Sequence, residues 1–198
     1  IRALEATIAD KVVTYDFGNT LVRVDRAGSR SVAAATAAAL GRSGIIDEPA
    51  SFLAVWAEER DRQFKEEVPL GREVDLDQRV ARTLARLRGF ARPDAGTRWD
   101  DAAAALLSEP AEIATAIDAY SAAFVATMVP MPDAGDHLDR MRSRGFRMAV
   151  LSNWPLATTI DRYVEAQGWL PLFDAVVVSQ RVGAIKPRPE IFLEAARL

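Results

Sequence analysis

The strongest constraint in this chain is the order of its hydropathy patterns. Residues 11–17, Lys-Val-Val-Thr-Tyr-Asp-Phe, form a β-branched and aromatic run that reads as a buried strand. From Ser31 to about Val129 the apolar residues recur with helical spacing, and no strand is predicted. Phe52, Leu53, Trp56 and Phe64 share one helical face. Leu76, Val80, Leu84 and Leu87 make a second stripe, and Ile113, Ile117, Tyr120, Phe124 and Met128 a third. Such stripes are the core positions of a helical bundle. Breaks are expected at Pro69-Leu70-Gly71, across residues 89–96, and at Glu109-Pro110.

After Val129-Pro130-Met131-Pro132, read as a stiff hinge, helix and strand alternate. Helices are predicted over residues 133–145 and 155–167 and from 189 onward, with Pro155 in a first turn. Strands are predicted over 146–151 and 175–178. Strands separated by helices imply a parallel sheet with right-handed crossovers. The early strand belongs with these later ones. The expected fold is therefore α/β, a Rossmann-like parallel sheet core over 1–24 and 130–198 with an all-α block over 25–129 inserted into it. Residues 25–30 are expected to form a polar loop leading into that block.

Composition removes several chemistries. There is no cysteine, so disulfides, thiolate metal sites and cysteine nucleophiles are excluded. The single histidine, His137, lies in a polar helical segment and is assigned no catalytic role. Catalysis is left to carboxylates, hydroxyls, Lys, Arg or a metal held by oxygen. A net charge of −3 provides no general basic surface for nucleic acid. No apolar run approaches the roughly 18 residues of a membrane span, and the alanine-rich stretch 32–40 follows a charged loop, unlike a signal peptide. A cytoplasmic protein with a small-molecule substrate is the default expectation, with the oligomeric state left open. The chain begins at Ile1 and ends within a predicted helix at Leu198, which reads as a fragment.

Three strand ends carry polar groups suited to chemistry. Asp16 closes the first strand, just before Gly18-Asn19, a pair suited to a tight turn with φ > 0. Ligands of open α/β sheets bind at such strand ends. A carboxylate there can act as a nucleophile or simply cap the turn. Ser152 and Asn153 end the next strand near the predicted helix start, where amides favour an anion. Lys186 sits between Gly183 and Pro187 after the last strand, held back from free solution. Arg60 and Arg62, near Trp56 and Phe64, could read an anionic group, although a solvated helix face is the simpler reading.

Together these stretches resemble the haloacid dehalogenase (HAD) superfamily. Asp16-Phe-Gly-Asn-Thr20-Leu resembles its first motif, Asp-x-Asp-x-Thr, and the resemblance makes Asp16 the nucleophile and Thr20 the loop support. Ser152 resembles the second motif, which binds the transferring phosphoryl group, with Asn153 beside it. Lys186-Pro-Arg-Pro-Glu-Ile-Phe resembles the third, whose Lys balances the charge of nucleophile and phosphate. The helical block takes the place of a class 1 cap that closes over the site. The resemblance implies a Mg²⁺ ion held by the Asp16 carboxylate, the Gly18 backbone carbonyl and an acidic fourth motif. That motif would fall beyond the twelve residues that follow Lys186, which is read as truncation.

One departure stands out. The family's second Asp, the general acid/base, is Gly18 here. The function the resemblance implies is a Mg²⁺-dependent phosphatase of a small phosphomonoester, working through an aspartyl phosphate. Two alternatives remain open. A metal-independent 2-haloacid dehalogenase also lacks an Asp at position 18 and shares the Ser-Asn pair, and a HAD-like binding module could have lost turnover with its acid/base.

Overall fold

The computed structural model describes residues 11–91 and 108–197. The chain divides into two compact units, one of residues 1–24 and 128–198, the other of residues 25–127.

The first unit is built on a parallel sheet. Strands β1 (Val12–Tyr15), β4 (Arg147–Ser152) and β5 (Ala175–Val178) run in the order β1-β4-β5. Tyr15 pairs with Val150, and Ser152 with Val178, so the C-terminal ends of all three strands lie side by side. The central strand is sealed on both faces, with Met148, Ala149 and Val150 fully buried, as expected of a continuous apolar run in a parallel sheet. Its entry is fastened by Asp174, whose Oδ2 accepts from the Met148 amide at 2.8 Å while its own amide donates to the Met148 carbonyl at 2.7 Å. Helices α5 (Ala134–Ser143), α6 (Ala157–Ala166), the single turn α7 (Ser179–Val182) and α8 (Pro189–Ala195) complete the unit. Ile191 and Ala195 of α8 pack on Leu151 and Val177 of the sheet. Tyr163 of α6 meets the edge of the Phe17 ring at 5.5 Å and donates from its hydroxyl to the Met128 carbonyl, and burial pushes that phenol up to about 12.

Residues 129–130 are not a bare hinge. Val129 and Pro130 form a short strand, β3, antiparallel to β2 (Val22–Arg23), with Val22 opposite Pro130. Proline is tolerated because two-stranded pairing leaves its missing N–H on an open edge. This ribbon joins the points where the chain leaves and re-enters the first unit.

The second unit contains α1 (Arg26–Arg42), α2 (Pro49–Glu66), a 3-10 turn (Val68–Leu70), α3 (Leu76–Leu87) and α4 (Pro110–Thr127). Helix α1 packs on α2 and α4, and α3 on α2 and α4. Residues 25–30 are not a loop. Asp25 caps α1, its Oδ1 accepting from the Gly28 amide at 2.7 Å, so the polar run is a helix start. The predicted break at 89–96 lies partly outside the described residues.

The stripes hold with one exception. Phe52, Trp56, Leu76, Val80, Leu84 and Phe124 are buried, whereas Phe64 is half exposed because it falls off the Phe52–Trp56 face near the end of α2. Charged residues share this interior. Glu59 and Arg82 have no exposed surface, and Arg86 reaches Glu58 and Glu59 at 2.7 and 2.9 Å. Arg62 is likewise buried against Glu66 at 2.5 Å rather than solvated, while Arg60 is exposed and paired with Asp61.

Candidate active site

Asp16 follows β1 directly, and its carboxylate is open to solvent. The Phe17–Val22 turn behind it is closed by its backbone: the amides of Leu21 and Val22 both donate to the Phe17 carbonyl, and the Asn19 amide to the Val22 carbonyl. The residue with positive φ is Asn19, at 58°, and not Gly18. Asn is one of the few non-glycine residues that tolerates this region. Its side chain secures the turn, Oδ1 accepting from the Val24 amide at 3.0 Å. That is the support expected of Thr20, which stands exposed with its hydroxyl unbonded among the described residues. Asn19 was legible as a turn residue, but its side-chain role needs the register of the returning strand.

The other expected groups converge on Asp16. Ser152, at the end of β4 and almost wholly buried, donates from Oγ to Asp16 Oδ1 at 2.8 Å. Lys186 donates from Nζ to the same oxygen at 3.0 Å and to the Leu151 carbonyl at 2.9 Å. Asp16 Oδ2 accepts no hydrogen bond among the described residues. One carboxylate oxygen is thus pinned and the other is left free to attack or bind a cation.

Asn153 is placed differently from the expectation that it binds substrate. Its amide is spent on the backbone of Lys186, with Oδ1 accepting from the Lys186 N–H at 2.7 Å and Nδ2 donating to the Lys186 carbonyl at 3.2 Å. It clamps the lysine's backbone and thereby aims Nζ at Asp16. The helix start is also displaced. Helix α6 begins at Ala157, two residues beyond Pro155, and its Ala157 amide is occupied by Gln180 Oε1 at 2.7 Å. The Trp154 amide likewise donates to Ser179 Oγ at 2.8 Å. Ser179 and Gln180, directly after β5, repeat the strand-end pattern of Ser152-Asn153; that repetition was the available signal for their role.

Gly18 faces an indole. A Cβ built on it would lie 3.2 Å from Trp154 Cζ3, closer than ordinary contact, and Trp154 packs edge-on to Phe17 with ring centroids 5.4 Å apart. The space into which a side chain at position 18 would project is lined by Trp154. His137 pairs with the neighbour of Asp16, its Nε2 lying 3.0 Å from the Tyr15 hydroxyl.

The oxygen donors near Asp16 suit a hard cation. Asp16 Oδ2 and the Gly18 carbonyl are both without hydrogen-bond partners among the described residues, and Mg²⁺ binds such oxygens while keeping several waters. Among the described residues no group of three or more His, Cys, Asp or Glu side chains comes together as a complete metal cage. These two groups form a half-site.

The model of the haloacid dehalogenase-like hydrolases matches residues 11–198, and the chain belongs to that family. A curated relative, the glyceraldehyde 3-phosphate phosphatase of Methanopyrus kandleri, is 33% identical over 89 residues, spanning 45% of this chain and 38% of its own length. Among solved structures, the Bacillus subtilis HAD-hydrolase YfnB bound to magnesium superposes with a TM-score of 0.52 at 18% identity, over 95% of this chain and 72% of that one. A HAD phosphatase from Thermococcus onnurineus gives 0.50 at 16% identity, over 93% and 69%. At these identities the two structures speak for the fold.

Proposed function

We propose that this chain carries the core of a Mg²⁺-dependent phosphatase that acts on a small phosphomonoester through an aspartyl phosphate. The observation behind this reading is the convergence of Ser152 Oγ and Lys186 Nζ on one oxygen of an exposed carboxylate at adjacent strand ends. The Asp16 carboxylate attacks phosphorus, the ester P–O bond breaks, and its electron pair leaves with the alkoxide. Ser152 and Lys186 exchange their bonds to Asp16 for the phosphoryl oxygens, where fixed donors stabilise the charge of the transition state. Mg²⁺, held by Asp16 and the Gly18 carbonyl, would supply further charge neutralisation. Water then attacks phosphorus, releasing phosphate and restoring the carboxylate. The alkoxide takes its proton from solvent, because position 18 has no side chain to give one.

The family membership and the phosphatase relative support this reading. Asp16→Asn, which keeps the turn but cannot attack, should abolish phosphate release by the full-length protein with unchanged cooperative unfolding. Retained turnover would remove Asp16 from the nucleophile role. The tight fit of Trp154 at Gly18 favours a second reading, a 2-haloacid dehalogenase, whose chemistry needs no acid at that position. Halide release from 2-chloropropionate in the presence of chelator identifies that case.

A further inference from the structure

The two segments that bring donors to Asp16 are tied to each other. One is the loop 153–157, which follows Ser152 and leads into α6; the other runs from α7 to Lys186. Asn153 joins the loop to the Lys186 end of the second segment, through backbone contacts of 2.7 and 3.2 Å. Two further ties come from its α7 end. Ser179, fully buried, accepts from the Trp154 amide at 2.8 Å and donates to the Trp154 carbonyl at 3.5 Å. Gln180, half-buried, accepts through Oε1 from the Ala157 amide at 2.7 Å.

Helix α6 has no side-chain cap of its own, because its N-cap residue is Leu156. Amides in a first helical turn have no partner within the helix, so Gln180 is a cap supplied from another element. A cap of this kind could act on stability alone. Here, however, the segments it joins carry one donor each, and Ser152 Oγ and Lys186 Nζ meet on Asp16 Oδ1 at 2.8 and 3.0 Å. Between Gln180 and Lys186 lies a short run of chain that turns at Gly183, φ 79°.

We propose, on the phosphatase reading of Asp16, that Gln180 and Ser179 are positioning residues. They brace the two segments and so set the spacing of the Ser152 and Lys186 donors. Slightly displaced donors still bind a ground-state phosphate but stabilise the transition state poorly, so the loss falls on rate rather than on affinity.

The test uses the full-length protein, with Mg²⁺ and p-nitrophenyl phosphate mixed rapidly well below each variant's melting midpoint. Gln180→Leu keeps the volume but not the acceptor. It should slow nitrophenolate release about tenfold at saturating substrate and shift the half-saturating concentration by less than about threefold. Gln180→Glu keeps an acceptor for the Ala157 amide and suits a helix start, so it should stay within about threefold of the parent. Gln180→Leu combined with Asn153→Ala should lose clearly less than the product of the single losses, because both act on one spacing. If Gln180→Leu does not fold, Gln180→Asn, which draws the acceptor back by one methylene, carries the same expectations. Asp16→Asn run alongside separates the two failures. No release by the parent, or turnover retained in Asp16→Asn, overturns the nucleophile reading and the brace with it. With Asp16→Asn inactive, a Gln180→Leu protein that melts lower but reacts at the parent's rate overturns the proposal alone and makes Gln180 a structural cap. Losses that multiply in the double variant, or a Gln180→Glu protein as slow as Gln180→Leu, overturn it as well.

Discussion

Lys186 is held along its backbone by Asn153 and at its tip by Asp16 and the Leu151 carbonyl, so its ammonium has one place to be. Preorganisation of this kind is sensitive to small displacements, and a misplacement of about 1 Å can cost about 10²-fold in rate. Asn153→Ala should therefore lower kcat by about 10- to 100-fold with little change in KM; steady-state kinetics on p-nitrophenyl phosphate checks it. Position 18 tells a complementary story. Its backbone does not need glycine, since the positive φ falls on Asn19, but a Cβ there would press on Trp154. Gly18→Asp alone should thus gain little, whereas Gly18→Asp combined with Trp154→Ala should raise turnover on esters with poor leaving groups. General acid assistance is typically worth about 10²- to 10⁴-fold, and the pair should recover part of it. Asp16 and Ser152 were legible as strand-end residues because strand, break and polar group follow one another locally, whereas Lys186 lies beyond the helical turn Ser179–Val182 that follows β5. The clamp of Asn153 on the Lys186 backbone was not legible, because its partner lies 33 residues away in sequence.

Among the elements, the central strand depends on its entry lock at Asp174. Its carboxyl is held below the usual carboxylate range, first by the Met148 amide and then by Arg142. A carboxylate with a depressed folded pKa contributes stability that is fully present above its unfolded pKa and is lost as pH falls through the lower folded one. Asp174→Ala should cost about 1–3 kcal/mol at pH 7, the range for losing a partner of a buried donor. The gap to the parent should narrow as pH falls below about 4, the unperturbed carboxylate value; thermal melts at pH 7 and pH 3 measure it. Asp25→Ala removes the α1 cap and should cost about 1 kcal/mol of the helical unit's stability, read from its thermal melt. Strands β4 and β5 were readable from composition, whereas β2 and β3 were not. Each has only two residues, too short for any periodicity, and they exist because the departing and returning chains meet.

For the whole molecule, the sequence pattern conveyed a parallel sheet interrupted by a helical insertion, and the structure shows both units. The charged interior of the helical unit was hidden, because Glu59, Arg79 and Arg82 occupy positions that hydropathy alone assigns to a solvated face. No helix among the described residues is long and apolar enough to cross a membrane. In the proposed mechanism Asp16 accepts a phosphoryl group and, with no side chain at position 18, returns it slowly. The most direct measurement is rapid mixing of the full-length protein with p-nitrophenyl phosphate and Mg²⁺. The expected result is a burst of nitrophenolate approaching one equivalent per active site, then slow steady turnover, with the burst absent in Asp16→Asn and after chelation. A burst that survives in Asp16→Asn, or halide released from 2-chloropropionate under chelator with no nitrophenolate formed, would contradict it.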